Sequence, residues 1–210
     1  MGTDIHGAIF KRNSEGEIKF VKDLDLSRNY NSFAVLGDVR NGLGFAGVKT
    51  GEGFNYITAR RGLPDWLEIE DDCVYVDDEQ ELWFGDHSYS YMTVKEFLDF
   101  DWTQTTTCQG MVSSEEYKSL LEKRKDNKNA IPVSYCGSVW GVATKVVSEE
   151  EMQTAINNND SSLPNLYCCV QWEISYKEAC WMAQSELLPL LLECAQGDYE
   201  NTYFVFGFDS

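Results

Sequence analysis

The chain has 210 residues, 43% of them apolar, with six Trp, eleven Tyr and eleven Phe. That supports the core of an ordinary domain and excludes a disordered acidic tail, which would lack aromatics. The net charge of −18, from 35 acidic against 17 basic residues, excludes a phosphate-binding nucleic-acid surface and disfavours anionic membranes; it fits solubility, attraction to basic protein surfaces and cation binding.

Residues 4–25 read as a β-hairpin. DIHGAIFKR runs into the turn cluster Asn13-Ser14-Glu15-Gly16, and IKFVKDL returns. SRNYNSFAVLGDVR reads as a helix capped by Ser27, with Tyr30, Phe33, Ala34 and Leu36 as its apolar stripe. Residues 41–64, NGLGFAGVKTGEGFNYITARRGLP, are glycine-rich and aperiodic, so a long ordered loop is expected, of a kind that is often functional. WLEIED and CVYVDD read as short strands, and TVKEFLDFDW as a short helix opened by a Thr93/Glu96 capping box. TQTTTCQGMV is strand-like, and Ser113 or Ser114 caps a helix reaching Lys125, with Tyr117, Leu120 and Leu121 on its apolar side.

AIPVSY and SVWGVATKVVS read as strands. A second capping box, Ser148/Glu151, opens a helix to Asn157, and NNNDSS is a connector. NLYCCVQWEISY is a strand. A third box, Ser175/Glu178, opens a helix from Tyr176 toward Cys194 that Pro189 should kink or split. TYFVFGF is the final strand. Strand-like runs with interspersed helices, and no regular βα alternation, predict an α+β fold: one domain over 1–210, with a mainly antiparallel sheet and several short helices.

The seven cysteines are Cys73, Cys108, Cys136, Cys168, Cys169, Cys180 and Cys194. Their number is odd, no CxxC pair occurs and no zinc-ligand spacing is present, so they read as small buried hydrophobes in a reducing compartment. The opening Gly-Thr-Asp-Ile-His is neither basic nor followed by an apolar run, and no segment reads as a membrane span. A cytoplasmic location is expected.

GLGFAG (Gly42–Gly47) matches the dinucleotide pattern GxGxxG, but a helix precedes it where a strand is required. It reads as an irregular loop with glycines at positive φ. The two histidines are His6 and His87. Asp4 and His6 share one face if residues 4–8 form a strand, and Asp86 and His87 lie in the turn-like Gly85-Asp86-His87-Ser88. Brought together, Asp4, His6, Asp86 and His87 are candidate general acid–base residues, and Asp4, His6 and His87 are candidate ligands for a divalent metal ion. Taken separately, each His–Asp pair is an ordinary structural hydrogen bond. Arg40 and Asn41 close the first predicted helix, where the macrodipole favours a cation. Arg60 and Arg61 are a basic pair near the glycine loop. These four are candidate ligand-binding residues, with internal ion pairing as the alternative for the arginine pair. No GxSxG elbow occurs, and no cysteine lies in a nucleophile motif.

TDIH, RNYNSFAVLGDVRNGLGFAG, RGLP and GDHSYSYMTVKEFLDFDW, in this order, resemble a group of bacteriophage-encoded proteins of unassigned function. The resemblance covers roughly the first half of the chain. It implies a viral protein acting in a bacterial host's cytoplasm and carries no catalytic residue with it. Asp4-Ile-His6, Gly37-Asp38 and Gly85-Asp86-His87 also echo the metallophosphoesterase motifs, but superficially: Gly37-Asp38 falls within a predicted helix, and that family needs several more histidines.

Three functions follow as expectations. The first is an acidic accessory protein that binds and blocks a host protein, of the defence-related kind, through its basic surface. The second is a metal-assisted or acid–base hydrolase acting on a phosphate-bearing substrate through His6 and His87. The third is sequestration of a nucleotide-like ligand by the glycine loop. Direct nucleic-acid and membrane partners are not expected, and the sequence does not define an oligomeric state.

Overall fold

The computed structural model describes residues 2–58, 60–67, 69–70, 73–75 and 81–210. In chain order the strands are β1 (Asp4–Arg12), β2 (Ile18–Leu24), β3 (Ile69–Glu70), β4 (Cys73–Tyr75), β5 (Glu81–Leu82), β6 (His87–Thr93), β7 (Thr105–Ser113), β8 (Lys145–Val147), β9 (Leu166–Ser175) and β10 (Thr202–Asp209). The α-helices are α1 (Tyr30–Gly37), α2 (Val94–Asp99), α3 (Ser114–Asp126), α4 (Glu149–Asn157), α5 (Tyr176–Ala179) and α6 (Leu188–Ala195). The fold is α+β, with mostly antiparallel sheets and several short helices, as the sequence predicts. The chain folds into two compact units: unit 1 is Met1–Asn41, Phe54–Gln104 and Tyr176–Ser210, and unit 2 is Gly42–Gly53 and Thr105–Ser175.

Unit 1 is built on a four-stranded antiparallel sheet in the order β2-β1-β10-β6. The predicted hairpin forms because Asn13 Oδ1 accepts the amides of Glu15 and Glu17 while Gly16 turns at φ 89°. Strand alternation then sorts the side chains by face. Ala8, Phe10 and Val205 pack on one face with Val74, Leu82 and Phe84. Phe208 turns to the other face and meets Phe33 of α1 edge-on, at 5.3 Å between ring centroids.

Helix α1 starts later and stops earlier than the sequence predicts. Asn29, not Ser27, is the N-cap, accepting the Ser32 amide at 2.7 Å; asparagine caps as well as serine. Asp38 ends the helix in the left-handed region (φ 58°), which a short polar side chain tolerates, so Arg40 and Asn41 lie beyond it. The predicted C-terminal helix is α5 and α6 with a π-helical segment, Ala183–Leu187, between them. Pro189 has no N–H to return to Ser185, and a wide turn in which the Leu188 amide reaches Ala183 O relieves the clash. The capping box of α2 is present as predicted.

In unit 2, β7 and β9 pair antiparallel along their length and β8 joins β9 in parallel. Ser113 caps α3, and the Ser148/Glu151 box caps α4. The glycine segment 42–53 folds back on itself, with Thr50 N–H donating to Gly42 O. It then lies along β7, where Gln109 N–H donates to Thr50 O and Glu52 N–H to Thr107 O. Only glycine fits at position 51, where a Cβ would lie 2.5 Å from Thr107 O. Its backbone covers the edge of a strand that would otherwise be open to pairing.

The predicted strands AIPVSY and SVWGVATKVVS are mostly absent. Only Lys145–Val147 forms a strand, and Met111–Cys136 is an isolated bridge. Pro132 removes a ladder donor and Gly141 adopts φ 152°, so the apolar pattern never acquires a partner strand.

Candidate functional site

Strand β1 places Asp4 and His6 on one face, and its register sets Asp4 against Asp209 and His6 against Gly207 of β10. Asp209 joins the two. Its Oδ1 accepts the Asp4 amide at 3.0 Å, and its Oδ2 lies 3.2 Å from His6 Nε2. The Asp4 carboxylate is turned to Arg28, whose Nε donates at 2.8 Å. This hydrogen bond, and then the guanidinium charge, hold the Asp4 carboxyl below its usual range despite some burial. On its other side the His6 ring meets Trp83, with centroids 4.5 Å apart. The result is an open cleft of about 570 Å³, on which Asp23, Asp25, Glu81 and the half-exposed Trp83 join Asp4 and His6.

His87 is not in a turn; it opens β6. The strand bulges there, since Ser90 pairs with Phe206 but His87 with Phe208, and Ser88 takes φ 56°. His87 Nδ1 lies 2.9 Å from Ser88 Oγ, Nε2 lies 2.9 Å from Ser210 Oγ, and the ring stacks on Phe208. Asp86 is more distant, at 3.9 Å. The histidines therefore flank β10 on different sides, against consecutive residues whose side chains alternate in direction. Gly207, opposite His6, is covered: a Cβ there would lie 2.0 Å from Phe84 O and 2.6 Å from the Tyr89 ring. Thus Asp4 and His6 come together with Asp209 and Arg28, whereas Asp86 and His87 are grouped with Ser88 and Ser210. Among the described residues, no group of three or more His, Cys, Asp or Glu is placed to hold a metal ion.

The remaining candidates have structural partners or lie exposed. Arg40 donates from Nε to Thr3 Oγ1 at 3.0 Å and lies over the Tyr30 ring. Asn41 bonds both the amide and the carbonyl of Phe54, at 2.6 and 2.8 Å, and so clamps the two points where unit 1 is interrupted in sequence. Arg61 forms a two-pronged pair with Glu96, at 2.7 and 3.1 Å, and its guanidinium lies over Tyr91. Arg60 is exposed.

Asp209, Trp83, Arg28 and the cleft carboxylates Asp23, Asp25 and Glu81 are the site residues that sequence reasoning missed. Asp209 and Arg28 reach the site only through strand register and chain reversal, which no local motif encodes. Burial pushes the Cys108 thiol up to about 11 and, with Glu149 and Cys169 nearby, the Cys168 thiol up to about 12, the opposite of an activated nucleophile.

Charge is unevenly shared. Unit 1 holds 25 acidic and 10 basic residues, a net of −15, while unit 2 holds 10 and 7, a net of −3. No helix among the described residues is long and apolar enough to cross a membrane. No family model, no curated protein and no solved structure matches this chain.

Proposed function

We propose that this chain is a binding protein that engages a basic surface of another protein through the carboxylates of unit 1. In the setting that the sequence resemblance implies, it is a phage accessory protein in the host cytoplasm. The partner is then a host protein of the defence-related kind, blocked by occupation of its basic surface. The observation that supports this reading is the concentration of net −15 in unit 1, with Asp23, Asp25 and Glu81 on a cleft beside Trp83. A field of one sign focused on a cleft speeds encounter with a cationic partner and weakens with salt. The exposed indole adds a face on which a lysine or arginine head can rest.

The reading is tested by titrating a Lys/Arg-rich peptide into isotopically labelled protein. Amide shifts at Asp23, Asp25 and Glu81 and a shift of the Trp83 indole are expected. Shifts confined to other residues would refute this assignment.

One observation favours a second reading, acid–base hydrolysis. His6 is paired with Asp209 in a cleft open to solvent, an arrangement suited to proton transfer. The same cleft opposes a phosphate-bearing substrate, because its carboxylates repel an anion. Turnover of an aryl phosphodiester that is lost in His6→Ala would favour this reading over the first. Ligand sequestration by the glycine loop has weaker support: the amides of Gly44, Gly47, Val48, Thr50 and Glu52, which a phosphate would need, already donate to backbone carbonyls.

A further inference from the structure

We propose that unit 2 carries a site for a soft monovalent metal ion of the Cu(I) class, held by the thiols of Cys136 and Cys169 with the Met111 thioether between them. Met111 of β7 stands opposite Cys169 of β9 on one side and opposite Cys136 on the other, antiparallel to both. Residues directly opposite one another in a ladder project to the same face, so the three sulfur side chains form one row across three neighbouring segments. That face is the outer one. Met111 and Cys169 are half-buried and Cys136 is exposed, whereas their chain neighbours Gly110, Val112, Cys168 and Val170 are buried. Cys108, Cys168 and Cys180 are the buried small hydrophobes that the sequence leads one to expect; Cys136 and Cys169 are not.

The backbone fixes the spacing of the row. Met111 and Cys136 exchange both N–H to carbonyl hydrogen bonds, at 2.8 and 3.0 Å. Such a pair holds its Cα atoms about 5.5 Å apart, and leaves Met111 and Cys169 as the closer, non-hydrogen-bonded pair at about 4.5 Å. Cys136 and Cys169 are therefore about 10 Å apart at Cα, too far for a disulfide. Both thiols nevertheless lean inward over β7. Cys136 Sγ donates to Met111 O at 3.8 Å, and the Gly110 backbone hydrogen-bonds the Cys169 thiol. The side chain between them is unbranched, with three rotatable bonds, and its sulfur can swing toward either neighbour. Donor chemistry names the ion. Thiolate and thioether together select soft ions, while hard ions demand oxygen donors. A structural Zn(II) site closes with four ligands, and three sulfurs in a row suit the lower coordination number of Cu(I). Each thiol gives its proton to solvent as its Cu–S bond forms, with no change of oxidation state, so binding needs only reduced protein and Cu(I). The site uses none of the carboxylates of unit 1.

Anaerobic titration of Cu(I) into the reduced full chain, against bicinchoninate as a competing coloured chelator, tests this. The expected result is one tightly held Cu(I) per chain. Cys136→Ser and Cys169→Ser should each weaken it at least about tenfold, since loss of a ligand costs no less than loss of a group that orients one. Met111→Leu, close in volume, should weaken it less and should lower the sulfur count by one in X-ray absorption at the copper edge. Cys194→Ser should change nothing. Cys136 is exposed, so Cys136→Ser keeps the fold and its result stands even where Cys169→Ser loses stability. Bound Cu(I) should also shield Cys136 of the wild-type chain from a thiol reagent. Absence of uptake would overturn the proposal, as would equal affinity in the Cys136→Ser/Cys169→Ser double variant. Nitrogen or oxygen donors at the copper edge, or displacement of Cu(I) by equimolar Zn(II), would overturn the assignment to a soft ion.

Discussion

His6 Nε2 and Asp209 Oδ2 lie 3.2 Å apart on neighbouring strands, joining residues 203 positions apart in the chain. Both side chains keep about a third of their surface in solvent, so the pair is a modest contributor to stability. Asp209→Asn should cost about 0.5–1 kcal/mol. Gly207→Ala, two residues before Asp209 on β10, should cost far more, about 3 kcal/mol or above, since its methyl group would meet the Phe84 carbonyl and backbone cannot yield. Chemical denaturation of the two variants gives both values. A costlier Asp209→Asn than Gly207→Ala would mean that the His6–Asp209 contact, and not close packing over Gly207, holds this end of the sheet.

Glu96 is one source of pH dependence. Burial alone would raise its pKa. The hydrogen bonds from Arg61 and the Thr93 amide, with the Arg61 charge and the Thr93 hydroxyl, outweigh burial and leave it below the ordinary 4.5. A carboxyl whose folded pKa lies below its unfolded value stabilises the fold fully above the unfolded value. That contribution disappears as pH falls from about 4.5 through the folded pKa. Because Glu96 is partly exposed, its capping and pairing roles together are worth about 1 kcal/mol. Wild type should therefore exceed Glu96→Gln in stability at neutral pH, and the gap should narrow as pH falls below about 4.5. An unchanged gap across this range would show that Glu96 acts through packing alone.

Cysteine reactivity separates buried from exposed thiols. Cys136 is exposed, whereas Cys108, Cys168 and Cys180 are buried. In the folded protein at mildly alkaline pH, a colorimetric disulfide reagent should modify Cys136 in its fastest phase, and Cys136→Ser should remove that phase. Cys108 and Cys168 should react only on unfolding, since their thiols are pushed up to about 11 and about 12. Rapid modification of either in the native state would contradict the packing of the β7–β9 core.

Features set by neighbours in sequence were legible in advance. The Asn13–Gly16 turn and the capping boxes at Thr93 and Ser148 each satisfy backbone groups within three or four residues, so the sequence carries their whole cause. The Asp4–His6 face followed from strand alternation in the same way. What was not legible depends on remote partners. Asp209 reaches His6 only because β10 pairs with β1, and Trp83 reaches it from the end of β5. The bulge that turns His87 toward Ser210 arises from the register of β6 against β10. The stretch around Trp140 has a strand's composition but no neighbouring strand to complete it, and β propensity means little without one. Even the start of α1 was a choice between two competent caps, Ser27 and Asn29, that local sequence did not decide.

The account stands on the carboxylates of unit 1 as a cation-seeking surface, and the most direct measurement is calorimetric titration of a Lys/Arg-rich peptide into wild type and into Asp23→Asn/Asp25→Asn/Glu81→Gln. The account predicts that the triple variant binds at least about tenfold more weakly, with a shallower dependence on salt, since three charges worth roughly 0.5 kcal/mol each are removed from the contact. Equal affinity and equal salt dependence in the two proteins would contradict it.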